Sequence, residues 1–266
     1  MVRLEDYSQA SKLAFSYIKP GVLTNHVMTA DEYRADIEAG ALFAYTWPGG
    51  LLFLRGRGGY HLLSYYLNDL SSLPDCELPG NTTIEIGYKP FGAGAAAQVI
   101  GFWERVGFRH KFERVRLTRP PGAADTPRLN RPFTIAPAAP IDAGACYELM
   151  KAGFDPITGH IPTLYEVEAS IRDGCILCLN DSSGVICGLL RFISRAAFVE
   201  IRQMAVSEAM RGQGLANSLL NAFIEKCGDR KCTVWARDGY LPAIRAYNSA
   251  GFAADGWRSG VLTFGV

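Results

Sequence analysis

Apolar positions along this chain repeat with two periods, and the period switches from segment to segment. Leu215, Leu219, Leu220, Phe223, Ile224 and Cys227 return every three or four residues, which predicts a helix over 215–227 that buries one face. Short apolar runs at Cys175–Leu179, Val185–Ile193 and Phe198–Val206, bounded by the turn-rich Asn180–Gly184 and by Ser194–Ala197, predict three strands. Helices are expected from Asp142 to Ala152, over Thr163–Arg172 and over Pro242–Ala250, the last with proline in its first turn and Gly251 as its stop. Strands at Phe133–Ala136, at Thr233–Ala236, from Phe252 onward and at Val261–Phe264 complete this stretch. The front of the chain is read as helices at Glu5–Tyr17, Ala30–Ala39 and Ala95–Val106. Its strands are expected at Leu42–Thr46, Leu51–Leu54, Tyr60–Leu67, Thr82–Tyr88 and Phe112–Leu117, with a loop over Asn68–Gly80. Helices alternating with strands around a strand meander predict a mixed α/β (α+β) fold: a mixed, mostly antiparallel twisted sheet flanked by helices.

Arg119–Pro132 holds four prolines in fourteen residues, which precludes a continuous helix or central strand and marks a linker. It separates 1–118 from 133–266, and 266 residues is nearly two domains at roughly 150 residues each. Near their ends both parts carry an aromatic residue, three others and Gly-Phe: Trp103-Glu-Arg-Val-Gly-Phe108 and Tyr247-Asn-Ser-Ala-Gly-Phe252. Such a match at the same point of both parts points to one fold used twice.

Composition narrows the class. With 48% hydrophobic and 20% charged residues the chain can pack a core, which excludes disorder and coiled coil. A net charge of +1 supplies no field to attract nucleic acid or an anionic membrane. The N-terminus has no secretory pattern, and no apolar run reaches the roughly 18 residues of a membrane span. The seven cysteines are an odd set scattered through apolar segments, so a reduced, cytoplasmic protein is expected. Cys175 and Cys178 form a CxxC, but on a strand these positions face opposite sides. They read as core residues, and no metal is expected.

The chemistry concentrates in Glu200–Leu219, where a strand is followed by Arg211-Gly-Gln-Gly214 and a helix. Glycines at 212 and 214 let backbone amides converge, and the helix N-terminus adds positive potential, so the loop suits a phosphate. Arg211 adds a fork of donors. A nucleotide P-loop needs GxxxxGK[ST], and no lysine follows Gly214 in the required place. A dinucleotide GxGxxG fails at Asn217, and Asp238 is only a loose match for its acid. Arg211, Gly214 and Ala216 do meet the [QR]-x-x-G-x-[GA] signature of the GNAT acyl-CoA-dependent N-acetyltransferases. Tyr247, Gly251 and Phe252 meet that family's second signature, a helical tyrosine followed by Gly-Phe. With both in order on the expected elements, the chain resembles the GNAT family over about 133–266.

The resemblance implies two tandem GNAT-like domains: 1–118 a degenerate copy without the phosphate loop, and 133–266 the catalytic one. It implies acetyl-CoA as co-substrate, with its pantetheine arm along Met204, Ala205 and Val206. The pyrophosphate would lie on the amides of Gly212, Gln213, Gly214, Leu215 and Ala216, beside Arg211. An amine of a small molecule or peptide would attack the thioester directly, with Glu200 as base and Tyr247 as the acid for the departing thiolate. A solvated edge glutamate and a merely packed aromatic are the bland readings of these two residues. Tyr240 stands where the family commonly has asparagine, a departure from the family pattern in that loop. Arg202 or Gln203 is expected to face the acceptor cleft, and His160, in the helix–helix loop, is a candidate substrate contact whose bland reading is a solvated histidine. One acyl-CoA per chain is expected, in a monomer or homodimer. A non-catalytic acyl-CoA-binding protein and a transferase of longer acyl groups are the alternatives.

Overall fold

The computed structural model describes residues 1–122 and 133–266, so most of the proline-rich segment lies outside the described residues. Two units are distinguished: Met1–Glu113 with Pro156–Thr158 and Arg258–Val266 (unit 1), and Arg114–Asp155 with Gly159–Trp257 (unit 2).

Unit 1 contains strands β1 (Val2–Arg3), β2 (Leu23–Thr24), β3 (Leu42–Trp47), β4 (Gly50–Gly56), β5 (His61–Leu67) and β6 (Thr82–Tyr88), and helices α1 (Tyr7–Tyr17), α2 (Ala30–Glu38) and α3 (Ala93–Val106). Its sheet runs in the order β1-β3-β4-β5-β6. It continues with the end of the chain's last strand, where Arg258 to Phe264 pair antiparallel with Tyr88 to Thr82. β4 is buried on both faces: Leu52 and Leu54 meet Val99, Phe102 and Trp103 of α3, while Leu51 and Phe53 meet Ala10, Ala14 and Tyr33 of α1 and α2. A strand enclosed from both sides loses the period-two pattern, which is why Leu-Leu-Phe-Leu is a continuous apolar run.

Unit 2 contains β8 (Thr134–Pro137), β9 (Ile176–Asn180), β10 (Ile186–Ser194), β11 (Phe198–Val206) and β12 (Lys231–Arg237), and helices α4 (Ala143–Gly153), α5 (Leu164–Arg172), α6 (Leu215–Cys227) and α7 (Leu241–Ser249). The order is β12-β11-β10-β9-β8. Beyond β12, Arg114–Arg119 of β7 (Arg109–Arg119) pairs antiparallel with Arg237–Cys232. Leu177, Leu190 and Val199 face Leu219, Phe223 and Tyr247 of α6 and α7; Ile176, Cys178 and Leu189 face Cys146, Met150 and Val167 of α4 and α5. Both units are thus mixed, mostly antiparallel sheets flanked by helices, as the sequence pattern predicts. The segment from Phe252 is one strand, β13 (Ala253–Phe264), rather than two, and its pairing with β6 runs unbroken through Gly260.

A half-buried polar chain lies in unit 1. Tyr33 Oη lies 2.6 Å from His26 Nε2, and His26 Nδ1 lies 3.0 Å from Ser64 Oγ. Burial, then the Arg55 charge, outweigh Glu32 and push His26 from 6.5 down to about 4. The folded state therefore holds this imidazole neutral, and protonation favours the unfolded chain. Stability from this group is complete above about pH 6.5 and falls by about 3 kcal/mol as pH drops to 4. Urea titrations at several pH values should show this acid limb in the wild type and a flatter one in His26→Gln. Superimposable limbs would dismiss it.

Candidate functional site

The site is built around the parallel pair β11/β12. Pairing runs from Phe198↔Lys231 to Ile201↔Val234 and stops, although β11 continues to Val206 and β12 to Arg237. The cause is local to β11. Opposite Arg191 and Phe192 the register slips by one residue, leaving Arg202 as the extra residue of a bulge, and a bulge bends and twists its strand. β10 still covers the other edge as far as Gly188↔Val206. The Ser207 N–H donates to the Cys187 carbonyl, and antiparallel alternation then turns the Ala205 peptide groups toward β10. Met204 and Val206 turn theirs into the opening. Of the three strand residues expected along a pantetheine arm, two present backbone groups to the gap. Arg211 Nε donates to the Val206 carbonyl at 3.3 Å.

The loop follows at once. A single 3₁₀ turn, Glu208–Met210, leads to Arg211, and α6 starts at Leu215. Gly212 has φ 79° and Gly214 φ 75°, left-handed values that favour glycine, and a Cβ at either would meet nothing within 4 Å. The loop is exposed from Arg211 to Gly214. Gly214 caps α6 without a side-chain bond, and the first helix amides have no intrahelical acceptor. Open space, converging amides and a helix dipole are what an anionic phosphate requires. The residues present fit the phosphate end of an acyl-CoA.

Tyr247, on α7, is 6% exposed and shares the core cluster of Met204, Val206 and Leu215. Its ring meets Phe252 edge to face at 5.7 Å. Burial pushes the phenol well above its usual range, so Tyr247 carries its proton throughout the working pH range. Glu200 alternates to the other face of β11, beside Thr233 in the register. Its Oε1 accepts from Arg202 Nη1 at 2.6 Å, and the carboxylate is 13% exposed.

Gln203 does not face a cleft. It is 2% exposed, accepts from Arg191 Nη1 at 3.0 Å and donates to the His160 carbonyl at 2.8 Å. Arg191 Nε donates in turn to Ser170 Oγ at 2.9 Å, so Gln203 ties the loop after α4 to the strand. His160 is half-buried rather than solvated, with φ 50°. Tyr240 is exposed ahead of α7. The Glu200–Arg202 pair is absent from the sequence reading; its signal was two opposite charges two residues apart on one strand. Among the described residues no cluster of metal-binding side chains occurs.

The parallel strands β11 and β12 thus part, and a glycine-rich helix start follows β11 in the chain. Residues 145–252 match the model of the acetyltransferase (GNAT) family. An acetyltransferase from Agrobacterium fabrum is 34% identical over 110 residues, 41% of this chain and 79% of that protein. The chain belongs to the GNAT acetyltransferase family. Among solved structures, a GCN5-related N-acetyltransferase from Sphaerobacter thermophilus superposes with TM-score 0.58 at 16% identity, covering 98% of this chain and 94% of that one. A tandem GNAT protein from the clavulanic acid biosynthesis pathway superposes with TM-score 0.54 at 14% identity, covering 84% and 83%. These likenesses concern the fold. Family membership makes the protein an acyltransferase, and no helix among the described residues is long and apolar enough to cross a membrane.

Proposed function

We propose that the protein transfers an acetyl group from acetyl-CoA to a primary amine of a small molecule or peptide, in a ternary complex. The observation that carries this reading is the opening between β11 and β12, followed in the chain by the uncapped, glycine-rich start of α6. Bound there, acetyl-CoA supplies an activated thioester. Met204 and Val206 bind the extended arm through their backbone groups, and the amides of Gly212, Gln213, Gly214, Leu215 and Ala216 hold the phosphates with Arg211. Glu200 keeps Oε2 for the proton of the incoming ammonium while Arg202 holds Oε1. Tyr247 delivers its proton to the departing sulfur, and no protein nucleophile is needed.

The chain is further read as a tandem pair, 133–266 being the acetyl-transferring copy and 1–118 a degenerate one in a cytoplasmic monomer or homodimer. Two helix ends support this. Gly107 (φ 109°) ends α3 and Gly251 (φ 81°) follows α7. In both, the phenylalanine amide donates to the carbonyl of the aromatic residue five positions back, at 3.0 Å.

Release of free thiol from acetyl-CoA in the presence of an amine panel tests the function. The wild type should release thiol with at least one amine. Tyr247→Phe should lower kcat roughly tenfold or more without changing CoA affinity. The raised Tyr247 also predicts no loss of activity through its ionisation up to about pH 10. Binding of CoA with no thiol released for any amine would favour a non-catalytic acyl-CoA-binding protein. Release from longer thioesters alone would change the donor.

A further inference from the structure

Unit 1 holds a second parallel pair that opens, here without a bulge. β5 and β6 pair at His61↔Thr82 and Leu62↔Thr83 and then part, while β5 remains paired with β4 as far as Leu67. The Asn68 N–H donates to the Gly49 carbonyl, so alternation turns the backbone groups of Leu63, Tyr65 and Leu67 into the gap. Counted along the chain from the last parallel pair, Tyr65 and Leu67 are the third and fifth residues, as Met204 and Val206 are in unit 2, where Arg202 is the extra residue of a bulge.

Here the chain itself occupies the edge. β2 lies antiparallel along it, Leu23 opposite Leu67 and Thr24 opposite Tyr66. Thr24 Oγ1 donates to the Tyr65 carbonyl at 2.5 Å. Asn25 then spans the gap: its Oδ1 accepts from the Tyr65 N–H at 2.9 Å, and its Nδ2 donates to the Leu63 carbonyl at 3.2 Å and to the Glu85 carbonyl of β6 at 3.1 Å. One side-chain amide thus offers the donor and acceptor that a peptide-like ligand would bring to such an edge. The segment is anchored by the His26 N–H, which donates to Thr24 Oγ1 at 3.0 Å, and by the His26 ring between Tyr33 and Ser64. β5 is followed by loop residues up to β6, with no helix to present amides to a phosphate.

We propose that Leu23–His26 is a resident occupant of unit 1's acyl-pantetheine edge, a built-in strand that closes this unit to CoA. This rests on reading the Met204–Val206 edge of unit 2 as the pantetheine site. Unit 1 therefore keeps the architecture of an acyl-CoA slot while serving as a sealed scaffold.

Amide hydrogen exchange on the full-length protein, resolved by residue with and without saturating CoA, tests this. Tyr65 should exchange slowly in both conditions, and Met204 and Val206 should slow only with CoA. Slowing at Tyr65 on CoA addition, or two CoA molecules per chain by calorimetry, overturns the proposal. Asn25→Ala should speed Tyr65 exchange about tenfold, the loss of one hydrogen bond; unchanged exchange also overturns it. Should that variant fail to fold, Thr24→Val keeps the shape, removes the acceptor of the His26 amide and should speed exchange there, with unchanged His26 exchange counting against the proposal. CoA protection at neither edge refutes the acyl-CoA reading of unit 2 and leaves occupancy of the unit 1 edge to be decided by the Asn25→Ala response.

Discussion

Gly214→Asp is expected to weaken CoA binding about 100-fold or more, some 3 kcal/mol, while the protein stays folded. The two effects separate because the site is made of backbone. Gly214 sits at φ 75° with open space where a side chain would go, and aspartate is among the few residues that tolerate this conformation. A carboxylate at a helix N-terminus is favourable to the helix, which offsets part of the strain. That same charge occupies the potential a phosphate would use and repels it. Calorimetry with CoA, beside a thermal melt, reads both quantities. Unchanged affinity in a folded Gly214→Asp protein would remove the loop from CoA recognition.

Glu200→Gln should lower kcat about 100- to 1000-fold near neutral pH and leave CoA affinity intact. Glutamine keeps an oxygen to accept from Arg202, so the positions of both side chains are preserved and only proton uptake is lost. The deficit should shrink as pH rises toward the acceptor amine's own ionisation near 10, because the free amine then needs no base. A constant deficit across pH would mark Glu200 as an orienting group. An unchanged kcat would assign the proton to solvent.

Much of this fold is legible in the sequence because its signals are local. The capping box of Thr163 and Glu166 starts α5, and Gly107 and Gly251 end α3 and α7 where the reading places stops. β11 and α6 run over the expected residues, so the order strand, glycine loop, helix could be read directly. What escaped is non-local. β1 and β2 have two residues each and carry no period; they are strands only because β3 and β5 hold them. The opening beside β11 depends on where β12 stops pairing. The bulge at Arg202 breaks the alternation and turns Gln203 away from where an unbroken count puts it. Of the candidate site, the loop was readable residue by residue, whereas the ion pair at Glu200 needed the strand to be seen.

The route of the chain between the units bears on how it can be divided. Arg114–Arg119, written into the first half, pairs with β12, and Arg258–Phe264, written into the second, pairs with β6. Cutting the chain in the proline-rich segment would leave each portion short of a sheet edge that the other encodes. Expressed separately, neither portion would carry every strand of its own sheet.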